Sequence, residues 1–106
     1  MNIFDYFWTM VIDLHLDDSV GAFHLESQIS KFEKAVDDAL LMSCSELRVI
    51  HGIGSGVLKK EIHKLLKTNK LVEKFVNDYH PMYGYGSTLI TFKSWAKRNQ
   101  SHLRNL

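Results

Sequence analysis

The chain has 106 residues, of which 45% are hydrophobic and 24% are charged, with a single proline and a single cysteine. This length fits one small domain, and the composition excludes a disordered chain, a disulfide scaffold and a collagen-like repeat. The net charge of +1 conceals two halves of opposite charge. Residues 1–56 carry three Lys/Arg and nine Asp/Glu, whereas residues 57–106 carry ten Lys/Arg and three Asp/Glu. The basic half predicts a polyanion-binding surface.

The first half of the chain predicts a strand, a helix and a second strand. Hydrophobic residues alternate over residues 10–16, which is typical of a strand with Asp13 and His15 on its less buried face. Residues 25–42 carry hydrophobic side chains at three- and four-residue spacing, which predicts a helix. We interpret the short apolar segment at residues 47–51 as the second strand.

The second half predicts a helix and two strands. A glycine-rich turn at residues 52–56 precedes a helix that ends near residues 68–69. Four aliphatic residues mark the buried stripe of this helix: Leu58, Ile62, Leu65 and Leu66. Residues 71–78 predict the third strand, residues 79–86 a loop, and residues 88–93 a final β-branched and aromatic strand.

The order of these elements predicts the fold class. Each strand–helix–strand unit predicts parallel neighbours joined by a right-handed crossover, and the short last loop predicts an antiparallel pair. We therefore expect an α/β fold, a two-layer βαβαββ sandwich in which both helices cover a mixed four-stranded sheet. The domain is expected over residues 10–93, with an N-terminal flank at residues 1–9 and a basic C-terminal tail at residues 94–106.

Cysteine usage and hydropathy predict the compartment. Cys44 cannot form an internal disulfide, which favours a reducing environment. No apolar run approaches the ~20 residues needed to cross a bilayer, and no basic residue precedes the first apolar segment as in a signal peptide. We expect a cytoplasmic protein without a membrane partner.

Asp13 and His15 form the first pair that could carry chemistry. Residues two apart on a strand share a face, so both would reach one phosphate, water or metal ion. Asp13 could accept a proton or bind a cation, and His15 could donate a proton to a leaving oxygen. By itself, the pattern is more often that of a solvated or hydrogen-bonded pair.

The second motif is His51 with the alternating glycines Gly52, Gly54 and Gly56. Such glycines let consecutive N–H groups point into one concavity, and the helix that follows adds the positive end of its dipole. This predicts a phosphate-binding turn with His51 above the bound group. A tight turn that needs left-handed residues would use one or two of the same glycines.

Aromatic and basic residues complete the candidates. Tyr83 and Tyr85 lie among glycines, where they could stack on bases or close the edge of the sheet. The basic candidates are Lys59, Lys60 and Lys64 on the second helix and Arg98 in the tail. A lysine-rich helix is often only a solvated face, but one that follows a phosphate-binding turn predicts a track for a nucleic-acid backbone.

No residue is predicted to be a zinc ligand. The six histidines lack a close pair of the H-x-x-x-H kind, and the cysteine has no C-x-x-C partner. We therefore assign no metal site from the sequence.

Taken together, the motifs resemble the small MutS-related (Smr) domain family. Its members show an L-D-L-H-G strand, an H-G-x-G turn that opens a helix, and a G-G-x-G or Y-G-x-G loop before the last strand. The counterparts are residues 12–16 (IDLHL), 51–54 (HGIG) and 83–86 (YGYG), so the resemblance spans about residues 10–93. It implies a fold similar to the C-terminal domain of translation initiation factor 3, nucleic-acid binding and, in several members, nicking of DNA or RNA.

The resemblance also implies roles for individual residues. Asp13 and His15 would be the catalytic pair, with His51, Gly52 and Gly54 forming the second half of the site. In this hypothesis the glycine turn holds a phosphate, and Asp13 orients water or a divalent cation such as Mg²⁺ or Mn²⁺. His15 or His51 would act as the general acid or base.

The chain departs from the family pattern at two positions. Leu16 stands where many members have glycine, and Tyr83 replaces the first of two glycines, a form shared by a subset of bacterial members. The leading hypothesis is a nucleic-acid-binding domain with nicking endonuclease activity. The alternatives are a non-catalytic nucleic-acid-binding module and a protein-interaction domain.

Overall fold

A computed structural model describes residues 8–15 and 23–96 of the chain, so the two expected flanks lie largely outside the described residues. Within these ranges the elements follow the predicted order: β1 (Thr9–Asp13), α1 (His24–Leu41), β2 (Glu46–Ile50), α2 (Val57–Thr68), β3 (Val72–Val76) and β4 (Ser87–Phe92). Neither of these helices is long and apolar enough to cross a membrane.

The four strands form one mixed sheet in the order β1-β2-β4-β3. β1 and β2 are parallel, as predicted, and β4 is antiparallel to both β2 and β3. The prediction that β2 and β3 would be parallel neighbours is wrong, because β4 inserts between them. Burial explains this order: Ile90 of β4 is fully buried, whereas Glu73 and Lys74 of β3 are exposed and suit an edge strand.

Both helices pack with the sheet around one hydrophobic cluster. Its members include Phe32, Val36 and Leu40 of α1, Leu58, Ile62 and Leu66 of α2, Leu47 and Val49 of β2, and Ile90 and Phe92 of β4. Leu65 was predicted to lie in the buried stripe, but it is 38% exposed. Residues 58, 62 and 66 form the four-residue row that faces the core, which leaves Leu65 beside it at the rim of the cleft between the helices.

β1 ends earlier than the alternation predicts, at Asp13. The N–H of Leu14 still donates to the carbonyl oxygen of Ile50 at 2.8 Å, which extends the ladder by one bond. The next N–H, that of His15, instead donates to Oδ1 of Asp13 at 3.1 Å. Such a side-chain-to-backbone bond favours a turn over a continued strand, and residue 16 lies outside the described residues.

Candidate functional site

The three sequence motifs meet at one edge of the sheet. β1 and β2 are parallel, so their carboxyl ends share this edge, and the antiparallel β4 begins there. Asp13 lies opposite Ile50, which in turn lies opposite Ser87. The segments that follow β1 and β2 and the loop that precedes β4 are therefore neighbours in space.

Gly52 is the point where these three segments touch. The N–H groups of His51 and Gly52 both donate to the carbonyl oxygen of Gly86, at 3.0 and 2.9 Å. A Cβ on Gly86 would lie 2.9 Å from the carbonyl oxygen of Tyr83 and 3.3 Å from the carbonyl carbon of Gly52. Gly52 itself has φ +80°, and a Cβ there would lie 3.3 Å from Cβ of His15. Close approach to backbone atoms thus requires glycine at position 86, whereas at position 52 the positive φ favours glycine and the approach to His15 is tight.

Asp13 holds His15 in place from the end of β1. Oδ1 of Asp13 accepts the backbone N–H of His15 and also contacts Nδ1 of its ring. An ionised carboxylate only accepts hydrogen bonds, so Nδ1 carries the hydrogen and Nε2 is left for a ligand. The His15 side chain is 51% exposed, which makes it accessible. The sequence predicted this pair on one strand face, whereas a turn and a direct contact bring the two side chains together.

Gln28 of α1 secures the same turn, and sequence reasoning did not single it out. Its buried Nε2 donates to the carbonyl oxygen of Leu14 at 3.0 Å. Leu14 is fully buried, so this bond satisfies a carbonyl group that water does not reach. A glutamine on the otherwise apolar stripe of α1 was the available signal.

His51 lies beneath the glycine turn and is 7% exposed. Its Nδ1 lies 2.9 Å from the carbonyl oxygen of Gly52, and its Nε2 lies 2.9 Å from Oγ1 of Thr88. Burial lowers the pKa of His51 below its ordinary value of 6.5, the bond to Gly52 partly offsets this, and the charge of Lys59 lowers it further. The sequence placed His51 above a bound group, but both of its ring nitrogens are engaged inside the protein.

The glycine turn bounds a pocket of about 230 Å³. The first turns of both helices line it, with His24, Leu25 and Gln28 from α1 and Val57, Leu58 and Lys59 from α2. Gly56 ends the turn with φ +81° and caps α2. Among the described residues, the N–H groups of residues 53–56 donate to no backbone carbonyl oxygen. These N–H groups, beside two helix N-termini, favour a positive potential in the pocket.

A basic groove runs along α2, with a volume of about 560 Å³. The predicted candidates Lys59, Lys60 and Lys64 all line it, together with Lys67 and His63. Sequence reasoning missed His63. Its position one helical turn from both Lys59 and Lys67 was the signal that could have placed it in this face.

Contacts within the loop at residues 79–86, here called the tyrosine loop, hold it in one conformation. His80 and Gly84 form an isolated β-bridge, and the ring of Tyr83 stacks on that of His80 with centroids 4.7 Å apart. Tyr85 is 60% exposed and packs edge-to-face with Tyr79. Tyr85 is therefore accessible from solvent, while Tyr83 is half-buried in a stack that shapes the loop.

Asn77, also missed from the sequence, ties the tyrosine loop to the sheet. Its Nδ2 donates to the carbonyl oxygens of Tyr85 and Ser87, at 2.9 and 2.6 Å. The predicted candidate Arg98 lies outside the described residues, as does Leu16.

The described residues contain no group of three or more His, Cys, Asp or Glu side chains that could hold a metal ion. Divalent cations such as Mg²⁺ take oxygen ligands and are often held by one or two carboxylates together with substrate phosphates. Asp13 offers one such carboxylate, with Oδ1 already engaged by His15.

Comparison with known proteins gives a consistent result. A family model described as the Smr domain matches residues 12–93. The chain is 38% identical over 84 residues to the Endonuclease MutS2 of Solidesulfovibrio magneticus, a match that covers 79% of this chain and 10% of that protein. It is 35% identical over 68 residues to the Endonuclease MutS2 of Streptococcus mutans, covering 64% of this chain and 9% of that protein. The matched part of the chain thus spans about a tenth of the length of these curated relatives.

Among solved structures, the fold is similar to the crystal structure of the Smr domain of Thermus thermophilus MutS2. The TM-score is 0.65 with 26% sequence identity, and the match covers 79% of this chain and 98% of that one. The mixed four-stranded sheet is therefore shared along nearly the whole length of that domain.

Proposed function

The chain belongs to the Smr domain family, and we propose that it binds nucleic acid along α2 and nicks a phosphodiester bond at Asp13 and His15. One observation carries the proposal: the Asp13–His15 pair and the glycine turn before the basic helix touch at Gly52. A phosphate bound at the turn would lie beside a histidine whose orientation is already fixed. This arrangement fits phosphodiester chemistry, and the names of the MutS2 relatives include endonuclease activity.

In the proposed mechanism, His15 is the acid or base and His51 is a structural partner. His15 is accessible, and its Nε2 is free because Asp13 engages Nδ1. It would accept the proton of the attacking oxygen or donate one to the leaving oxygen, while Asp13 keeps the ring in one tautomer. His51 is less suited to this role because its two nitrogens already bond to Gly52 and Thr88.

The phosphate would be held by the glycine turn at Gly52, Gly54 and Gly56. The N–H groups of the turn and the helix N-termini around the pocket would supply positive potential, to which Lys59 at the pocket lining adds a full charge. Lys59, Lys60 and Lys64 would hold the backbone on either side of this phosphate. Asp13 would be the residue that holds a divalent cation, Mg²⁺ or Mn²⁺, which would supply charge stabilisation to the phosphate.

The nicking assay uses supercoiled plasmid and structured RNA, each with and without Mg²⁺ or Mn²⁺. Asp13→Ala and His15→Ala are expected to reduce the nicking rate by about 10²-fold or more, the usual cost of removing an acid–base group. Asp37→Asn is the matched control, because Asp37 is an exposed carboxylate on α1. Nicking that persists in both site variants would refute the catalytic assignment.

A non-catalytic binding module is the second candidate, favoured by the basic groove. The groove lies along α2 and needs neither Asp13 nor His15 to attract a polyanion. Binding measured by fluorescence anisotropy should weaken with salt, and Lys64→Gln should reduce the slope of log K against log [salt] by about 0.7–0.9 if Lys64 contacts a phosphate. Lys34→Gln on the acidic helix α1 is the matched control and should leave the slope unchanged. Salt-dependent binding without turnover under any metal would select this candidate.

A further inference from the structure

Two histidines share one buried hydroxyl group between the glycine turn and the basic groove. Oγ1 of Thr88 lies 2.9 Å from Nε2 of His51 and 2.8 Å from Nε2 of His63. Thr88 is fully buried at the start of β4, and the two imidazole rings lie edge-to-face with centroids 6.2 Å apart. His51 and His63 are therefore linked through a single oxygen atom.

The direction of each hydrogen bond in this chain follows from the acceptor at one end. The carbonyl oxygen of Gly52 can only accept, so Nδ1 of His51 carries the hydrogen. A neutral imidazole has one N–H, hence Nε2 of His51 accepts and the Thr88 hydroxyl donates to it. The oxygen of Thr88 is then free to accept, and the Nε2–H of His63 donates to it. Nδ1 of His63 is left as an unprotonated acceptor.

His63 opens on the side of the basic groove. It lines the groove with Lys59, Lys60, Lys64, Lys67 and the acidic residue Glu61. On the sheet side it packs against Phe75 of β3, with ring centroids 5.0 Å apart, and against Thr88 and His51. Burial lowers the pKa of His63 below 6.5, and the charges of Lys59, of Lys67 and of His51 when His51 is protonated lower it further.

We propose that His63 is a titratable ligand in the basic groove that takes up one proton at Nδ1 when a nucleic-acid phosphate enters. This inference rests on the proposed nucleic-acid binding, and it adds a ligand and a proton linkage that the lysines alone do not provide. The proton comes from solvent, and no covalent bond changes. The Nε2–H of His63 donates to Thr88 before and after this step, so the link to His51 survives protonation.

The sign of the effect follows from the charge of the ligand. A phosphate in the groove favours the charged imidazolium and offsets the repulsion from Lys59 and Lys67, so it raises the pKa of His63. The protein should therefore bind nucleic acid more tightly at acidic pH and lose affinity as the pH rises. A rise of one pKa unit on binding corresponds to about a tenfold difference between the two pH limits.

Binding of a short labelled DNA duplex and a labelled RNA hairpin should be measured at constant salt from about pH 5 to about pH 8. His63→Gln is the informative variant, because its side-chain amide keeps a donor for Thr88 without titrating. We expect it to reduce the pH dependence of binding relative to wild type. Lys34→Gln on α1 is the control, because Lys34 is outside the lining of the basic groove, and it should keep the wild-type pH dependence.

Nuclear magnetic resonance on the wild-type chain supplies an independent readout. The imidazole nitrogen shifts of the free protein should show hydrogens on Nδ1 of His51 and on Nε2 of His63, and the pKa of His63 should rise when the DNA is added. Two results would overturn the role of His63 and leave the proposed nucleic-acid binding intact. One is a His63→Gln variant that binds nucleic acid with the wild-type pH dependence, and the other is a pKa of His63 that does not rise on binding. If neither probe binds at low salt, the proposed function fails and this inference fails with it.

Discussion

Replacing Gly52 with alanine tests the contact that joins the motifs of the site. Gly52 has φ +80°, and the left-handed conformation costs a non-glycine residue about 1–2 kcal/mol. The new Cβ would also lie 3.3 Å from Cβ of His15, a tight contact. His15 is half-exposed and can move by a few tenths of an ångström, so backbone strain should account for most of the lost stability. The steric contact should have a separate, local effect, which is to displace the His15 side chain from Asp13.

Gly56→Ala separates the two effects, because Gly56 has φ +81° and a Cβ there would meet nothing within 4 Å. Urea unfolding should show a similar loss of about 1–2 kcal/mol in both variants. The imidazole resonances of His15 should shift in Gly52→Ala alone. Wild-type stability in Gly56→Ala would refute the strain argument, and unchanged His15 resonances in Gly52→Ala would refute the contact argument.

Two other predictions concern the buried histidine and the tyrosine loop. Because the pKa of His51 is lowered in the folded state, the unfolded chain binds more protons, so stability should fall as the pH drops below about 6.5 and His51→Gln should flatten this dependence in urea unfolding. Asn77→Ala removes the donor to the carbonyl oxygens of Tyr85 and Ser87, so hydrogen exchange of the 79–86 loop should accelerate while that of α1 stays at the wild-type rate. Equal exchange rates in the loop of both proteins would contradict the proposed tie.

The fold was predictable wherever the signal was local. The spacing of apolar residues gave both helices and the order of all six elements, because periodicity is set within a few turns of the chain. The position of β4 between β2 and β3 was not predictable from local pattern, since it depends on which strand loses most surface to burial. In retrospect the polar pair Glu73 and Lys74 of β3 was a sign of an edge strand.

The site divides in the same way. The approach of Asp13, His15 and the glycine turn to one another follows from parallel strands that end at a common edge, which the predicted topology contained. The roles of Thr88 and His63 depend on how α2 packs against β4, which brings the two side chains into contact. In the sequence, Thr88 is only a β-branched strand residue and His63 only a polar position on a lysine-rich helix.

The acidic and basic halves of the sequence place opposite charges on the two neighbouring helices. α1 and α2 contact each other on one face of the sheet. α1 carries Glu26, Glu33, Asp37 and Asp38 against two lysines, whereas α2 carries four lysines against Glu61. A polyanion is therefore repelled from one helix and attracted to the other. Because both helices begin at the glycine-turn pocket, a nucleic-acid backbone bound along α2, as proposed, would be directed toward His15 rather than across α1. Reversing the charge of Lys59 should then misalign the bound nucleic-acid backbone at the glycine turn. Neutralising an acidic residue of α1 should instead mainly change the rate at which the protein associates with nucleic acid.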